Sequence, residues 1–301
     1  LTKLDPPVPG QPGTVYIEHP PQPFVETGGV AGGPVLISVP HSGRYYPREL
    51  VEQVRLPIDD LRMLEDLLVD HLIEEAIGRN VHTITNNYAR AWIDLNRRET
   101  ELDPRQLSPR PAAHIDQRSP RVVAGLGLIP LTSGSGRALY DGPLAMDMIA
   151  SRIERVHRPY HARIAAGLGA MKERFGAALL CDLHSMPPLP AAQAADIVLG
   201  DRHGRTAAPA LVDTAAAWLT QQGYRVTRNR PYAGGHSVEL HGRPERACHA
   251  IQIEFDRQLY LESDGRTLSR NAPGVARLIA GLARVLQECL DTDSGTRLAA
   301  E

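Results

Sequence analysis

Aromatic side chains are sparse in this chain, at 5% of the residues, with only three Phe and two Trp. They do not interleave with basic residues, so the patch that a nucleic-acid surface requires is missing. Charge of one sign is lacking too, since 33 Lys and Arg face 35 Asp and Glu, a formal net charge of -2. A chain so balanced has no global field to draw in nucleic acid or an anionic membrane, and any charge-based recognition must be local. Cysteine is scarce: Cys181, Cys248 and Cys289 lie in apolar surroundings without metal-type spacing. An odd count of that kind suits packing residues in a reducing cytosol better than a disulfide framework. No apolar run approaches the roughly 20 residues needed to cross a bilayer, and the opening LTKLDPPVPGQPG has no signal-peptide core. A soluble, cytoplasmic protein is expected. A Gly-x-Ser-x-Gly elbow is also missing; Ser42, Ser185 and Ser237 stand near histidines but fit equally well as turn hydroxyls.

What is present is enough apolar material, 42% of 301 residues, to bury a large core as one domain. Residues 1–34 are rich in Pro and Gly, carry one extended candidate at 14–18, and read as an extended N-terminal arm. A single domain is expected over 35–292, followed by a flexible C-terminal tail, 293–301. Strands are predicted at 35–39, 81–85, 91–95, 177–183, 196–199, 224–227 and 249–255. Helical spacing appears after residue 58, with Leu61, Leu64, Leu68 and Leu72 in phase, and over 142–174 (interrupted at Pro159), 207–222 and 273–290. Alternating strands and helices predict an α/β fold with a parallel or mixed sheet covered on both faces. Residues 98–121 form one long polar excursion, of the kind that is functional or mobile in a compact domain.

Ligands of α/β sheets gather outside the carboxyl ends of strands, which directs attention to four places. His41 follows the first apolar strand, either as a metal ligand or as a hydrogen-bonded turn histidine. Asp182 and His184, two apart in ALLCDLHSMPP, point to one face of another strand. Two histidines from separate strand ends favour a metal site of zinc type, with His nitrogens, a carboxylate and an open position. Glu65, Asp66 and Asp70 supply carboxylates in between; a solvated stripe explains Asp70 readily and Asp66 poorly. In HAIQIEFDRQLY, alternation puts Gln252, Glu254 and Asp256 on one face. Glu254 is then either a water-activating base or the partner of a cation such as Arg257. The fourth place, NNYARAWIDLNRRE, sets Arg90, Asn96 and Arg97 around a short apolar run, where guanidinium groups can hold a carboxylate in bidentate fashion or stay solvated.

Taken together, SVPHSGRYYP, EDLLVD, YARAWIDLNRRETELDP, DLHSMP, GDRHG, PYAGGHSVELHGRP and QIEFDRQLYL follow the order seen in N-formylglutamate amidohydrolases, also called N-formylglutamate deformylases. The chain resembles that family over about 35–265. The resemblance implies a three-layer α/β/α sandwich with a central mixed, largely parallel sheet, similar to zinc carboxypeptidases and aspartoacylases. It implies hydrolysis of N-formyl-L-glutamate to formate and L-glutamate, the last step of one route of histidine degradation. By motif, His41 and His184 become ligands of Zn2+ or another divalent metal, Glu254 the general base and Arg90 the arginine facing the carbonyl. Asn96 and Arg97 become the clamp for a substrate carboxylate, with Arg243 a second such contact. Arg44 stands where the carboxypeptidase pattern has its ligating Glu, so the carboxylate ligand is assigned to Asp66, with Glu65 as the alternative. His236 stands where the family pattern carries an aromatic residue. A deacylase of another N-acyl amino acid and a non-catalytic small-ligand binder on the same scaffold remain as rival readings.

Overall fold

Three strands set the frame: Val35–Val39, Ala178–Met186 and Cys248–Asp256, all but the first residue of the last buried. They are labelled β2, β6 and β9 in a chain order that also includes β1 (Phe24–Thr27), β3 (His82–Asn86), β4 (Leu107–Ser108), β5 (Leu144–Ala145), β7 (Ile197–Gly200) and β8 (Val226–Arg228). The computed structural model describes residues 20–109, 115–116 and 118–298, so the extended candidate at 14–18 lies outside it. The main sheet runs β1-β3-β2-β6-β9-β7-β8, and β4 pairs separately with β5. Within the main sheet, β1 is antiparallel to β3 and β7 to β9, while the other four pairings are parallel. The mixed, largely parallel sheet is therefore as expected, and the arm contributes its edge strand β1.

Side chains that alternate along these strands feed two cores. Val35, Ile37, Leu179, Cys181, Ile251 and Ile253 face one layer, which is closed by α7 (Pro209–Gln221) and α9 (Ala272–Leu298). Leu36, Ala178, Leu180 and Ala250 face the other, closed by α6 (Arg158–Phe175). Gly167 lets α6 approach: a Cβ there would come within 2.8 Å of Leu36 Cδ1. The register aligns Leu36, Leu180 and Ala250 in one row and Ser38, Asp182 and Gln252 in the next on the same face. One face of three buried strands thus turns from hydrocarbon to polar groups halfway along, which positions the site.

Two sequence expectations are corrected. The helix read after residue 58 is broken: α2 (Ile58–Leu61) and a 3-10 turn end at Leu64, Glu65 is extended, and Leu68 takes φ 61°. A second 3-10 turn then leads into α3 (Glu74–Gly78). The break occurs because Asp66 spends its backbone elsewhere, its N–H on the His41 carbonyl (3.0 Å) and its carbonyl on Ser42 Oγ (2.9 Å). Leucines in helical phase cannot report that. The second correction concerns 91–95, which is a buried turn segment rather than a strand. Trp92 and Ile93 are both buried, so there is no alternation, and Trp92 N–H bonds Ala89 O while Asp94 N–H bonds Leu128 O. A short apolar run fits either state by pattern alone.

Elsewhere the elements follow the sequence closely. Pro159 does not interrupt its helix: Met146–Arg152, a π-helical turn at Ile153–His157 and α6 run on without a gap, with Pro159 at the start of α6, where a backbone donor is dispensable. The final helix continues to Leu298, past the point at which a tail was expected. Among the described residues, no helix is long and apolar enough to cross a membrane.

Leu36 is fully buried between β2 and α6, and Leu36→Ala should cost about 2–5 kcal/mol of unfolding free energy. Leu240, at 40% exposure, should tolerate Ala within about 0.5 kcal/mol. Urea unfolding of both variants checks the contrast, and equal effects would contradict this placement of the core.

Candidate metal and catalytic site

Where the sheet face turns polar, every strand end carries a functional group. His41 leaves β2 after Pro40, His184 lies near the end of β6, and Glu254 pairs in register with His184 across the β6-β9 ladder. Asp66 arrives from the extended break described above. Its Oδ2 lies 3.2 Å from His41 Nδ1 and 3.0 Å from His184 Nδ1, and the two Nδ1 atoms are 3.1 Å apart. All three residues are buried.

The opposite nitrogen of each ring is held by a second carboxylate. His41 Nε2 is 2.8 Å from Asp94 Oδ1, and His184 Nε2 is 2.8 Å from Asp182 Oδ2. A carboxylate can only accept, so both Nε2 atoms carry a proton, and both Nδ1 atoms point at Asp66, where each can donate to the carboxylate or, once deprotonated, ligate an ion. Two ring nitrogens and a carboxylate oxygen then converge at about 3 Å, a spacing that a shared cation can bridge. Ligand atoms on a tetrahedral ion with bonds of about 2.0 Å stand roughly 3.3 Å apart. Carboxylate, imidazole and metal in line is also the usual outer-shell arrangement of metal-bound histidines. The donor set therefore fits a divalent metal of zinc type.

Charge is distributed to match. Burial raises the Asp66 carboxyl, but hydrogen bonds from His184 and His41 outweigh it and hold the group well below the usual carboxylate range. Burial disfavours a charged His184, yet Asp182 and Asp66 overcome it and raise the imidazole well above its ordinary value. Asp94, wholly buried, is likewise held low against its desolvation by Arg90, Arg97 and His41. Glu254 goes the other way: burial and then Asp66 push it up to about 7 against the pull of His184 and Arg90. Gln252 Nε2 donates to Glu254 Oε1 at 2.7 Å and aims the carboxyl. Arg257, the alternative partner for Glu254, instead donates to Ser185 Oγ and the Glu65 carbonyl.

Arg90 belongs to this group, donating through Nε to Asp94 Oδ2 (2.8 Å) and through Nη1 to the Leu64 carbonyl (3.2 Å). Asn96 lies beside His184, its Nδ2 3.4 Å from Nε2, but its amide is engaged: Nδ2 donates to Gln252 Oε1 and Oδ1 accepts from Ser237 N–H. Gly235 is required there, since a Cβ would sit 2.2 Å from Asn96 Oδ1. Arg97 is buried, with Nε on the Leu126 carbonyl, Nη1 on the Asn96 carbonyl and Nη2 a looser 3.6 Å from Asp94. Burial lowers this guanidinium to about 10.

Two assignments do not come together here. Arg243 bridges Cys248, the first residue of β9, six residues before Glu254. Arg243 Nη1 donates to the Glu239 and Gly242 carbonyls, so among the described residues no bond joins it to the groups at the strand ends, and the expected second carboxylate contact is not among them. Glu65, the alternative ligand, turns away from the histidines to accept from Tyr46 Oη, and its burial pushes it up to about 7. Asp94 and Gln252 are groups to which the sequence alone assigned no role at the site. The one signal for Asp94 was an acidic residue between two arginines in a wholly buried stretch.

A sequence profile of N-formylglutamate amidohydrolases matches residues 33–261. The N-formylglutamate deformylase of Pseudomonas aeruginosa is 31% identical over 271 residues, spanning 86% of this chain and 92% of that protein. The N-formylglutamate deformylase of Pseudomonas putida is 29% identical over 239 residues, 76% of this chain and 82% of that one. Among solved structures, N-formylglutamate amidohydrolase from Ralstonia eutropha JMP134 superposes with a TM-score of 0.78 at 31% identity, covering 93% of this chain and all of that one.

Asp94 joins His41, Arg90 and the loop at Asn96, so Asp94→Asn should weaken divalent-metal affinity about 10- to 100-fold. It should also destabilise the fold, because the half-buried Arg90 loses its counter-charge. Competition against a chromophoric chelator reads the first effect, and an affinity unchanged within a factor of two would remove Asp94 from the metal-supporting role.

Proposed function

The chain belongs to the N-formylglutamate amidohydrolase family, and on that premise we propose that it hydrolyses N-formyl-L-glutamate to formate and L-glutamate with a divalent metal, zinc by donor chemistry. The observation that carries the reading is the convergence of His41 Nδ1, His184 Nδ1 and Asp66 Oδ2 within 3.2 Å, with Glu254 in register beside His184. When bound, the metal supplies a Lewis acid that acidifies a water molecule and polarises the formyl carbonyl. Glu254, at about 7 and aimed by Gln252, takes a proton from the attacking water and returns it to the departing amine. Arg90, braced on Asp94 and Leu64, presents its positive edge to the developing oxyanion.

Asn96 and Arg97 form the carboxylate clamp in this reading. The loosest bond of Arg97, Nη2 to Asp94 at 3.6 Å, is the one that a substrate carboxylate replaces. The family resemblance further implies a place at the end of a histidine-degradation route. Cys181, Cys248 and Cys289, all free thiols, suit a reducing cytoplasm.

Formate release from N-formyl-L-glutamate, measured beside a panel of other N-acyl amino acids, tests the substrate. Chelation should abolish turnover and added zinc restore it; release that persists in metal-free protein would rule the metal out. Glu254→Gln should lower kcat by about 10²–10⁴ with metal content intact. Because the base must be ionised, activity should fall as pH drops through about 7. Arg97→Ala should reduce kcat/KM by about two orders of magnitude, a few kcal/mol, while metal is retained. Loss of metal with an unaltered KM would assign Arg97 to holding Asp94 instead.

A further inference from the structure

A second group of histidines lies behind the Asn96 loop, outside the machinery described above. His157 ends the π-helical turn, His161 follows one turn later on α6, and His236 opens α8 (His236–His241). The i, i+4 spacing puts His157 and His161 on one helix face, and π-helical turns often mark functional positions. Ring centroids are 4.6 Å apart for His157 and His161, 5.2 Å for His161 and His236, and 5.8 Å for His157 and His236. Three imidazoles on one tetrahedral ion, with metal–nitrogen bonds of about 2.0 Å, would have centroids roughly 5 Å apart. The His41 and His184 rings stand at 4.8 Å, within the range that the cluster spans.

Hydrogen bonding leaves the required lone pairs. His157 Nε2 donates to the Arg97 carbonyl at 2.9 Å, and His161 Nε2 to the Leu95 carbonyl at 2.8 Å. Each is therefore the tautomer with a bare Nδ1. His157 Nδ1 and His236 Nδ1 are both buried without a hydrogen-bond partner among the described residues. Buried polar atoms are seldom left so, and one ligand atom from each of His157, His161 and His236 lies within 4.8 Å of those of the other two. The nearest acid to His157 Nδ1 is Glu99 at 3.8 Å, beyond hydrogen-bond reach and committed to Arg158. His161 Nδ1 meets His241 Nε2 at 3.1 Å, so ligation there displaces only a hydrogen bond. Burial lowers all four imidazoles, His236 and His241 to about 4.

We propose that His157, His161 and His236 form a second binding site for a divalent transition-metal ion, distinct from the site of His41, Asp66 and His184. A set of three neutral nitrogens without a carboxylate selects the zinc, cobalt, nickel and copper class over magnesium or calcium. The ion would tie α6 and α8 to the backbone at Leu95 and Arg97, on either side of Asn96.

Cobalt(II) titration of the full chain, read by visible absorption and by metal analysis after desalting, counts the sites. Two ions per chain are expected, falling to one in His236→Ala and, separately, in His157→Gln, with far-UV dichroism reporting that each variant is folded. Asp66→Ala, which leaves the cluster intact, should also retain one. A count unchanged by both cluster substitutions overturns the proposal and leaves the first site standing. A single ion that both cluster substitutions remove and Asp66→Ala retains supports the cluster and counts against the first site, so the two readings fail separately.

Discussion

The structure depends on two buried carboxylates, Asp94 and Asp182, each holding the Nε2–H of one imidazole at 2.8 Å. That pinning decides which nitrogen of His41 and of His184 is left for Asp66, and both Nδ1 atoms face it. Three carboxylates gathered around two imidazoles concentrate negative charge in a desolvated interior, and a proton on a ring or a cation at the meeting point offsets it. Most of the surrounding chemistry stabilises the two pinning groups. Ser38 Oγ donates to Asp182 at 2.8 Å, and Arg90 and the Asn96 N–H donate to Asp94. These donors satisfy both carboxylates at such depth and hold each of them in place against its ring.

The fold serves this arrangement by changing the chemistry of one sheet face without changing its backbone. Along β6 the residues on that face run Ala178, Leu180, Asp182, His184, and along β9 they run Ala250, Gln252, Glu254. The apolar half packs under α6 and anchors the register; a slip of one residue would send every polar group into the opposite core. Precision at the site is thus inherited from hydrocarbon packing at the other end of the same strands.

This division also explains what could be read from the sequence. Strands such as 35–39 and 249–255 announce themselves because their burial is continuous and local, and His41, His184 and Glu254 stand out as polar groups at or near the ends of such runs. Asp66 was legible as a residue ill suited to a solvent face, but its backbone was not. Leu61, Leu64, Leu68 and Leu72 keep helical phase although the chain is extended at Glu65 and left-handed at Leu68. The cause is the His41 carbonyl, 25 residues away in sequence, taking the N–H that a helix would need. The buried turn at 91–95 misled for the same reason, since its backbone bonds go to Leu128, Ala89 and the His161 side chain rather than to a ladder. Arg243 shows the converse: the family motif implied a substrate contact, whereas α8 carries the chain back to the far end of β9.

The loop from Asp94 to Arg97 is where the two histidine clusters meet. Its side chains face the first cluster, Asp94 on His41 and Asn96 beside His184. Its carbonyls at Leu95 and Arg97 accept from His161 and His157 of the second. A segment with no strand ladder of its own is therefore held from both sides, by imidazoles that donate from behind and by imidazoles that it steers in front. The π-helical turn that ends at His157 and the first turn of α6 therefore hold the backbone from which Asp94 reaches His41 and Asn96 reaches His184.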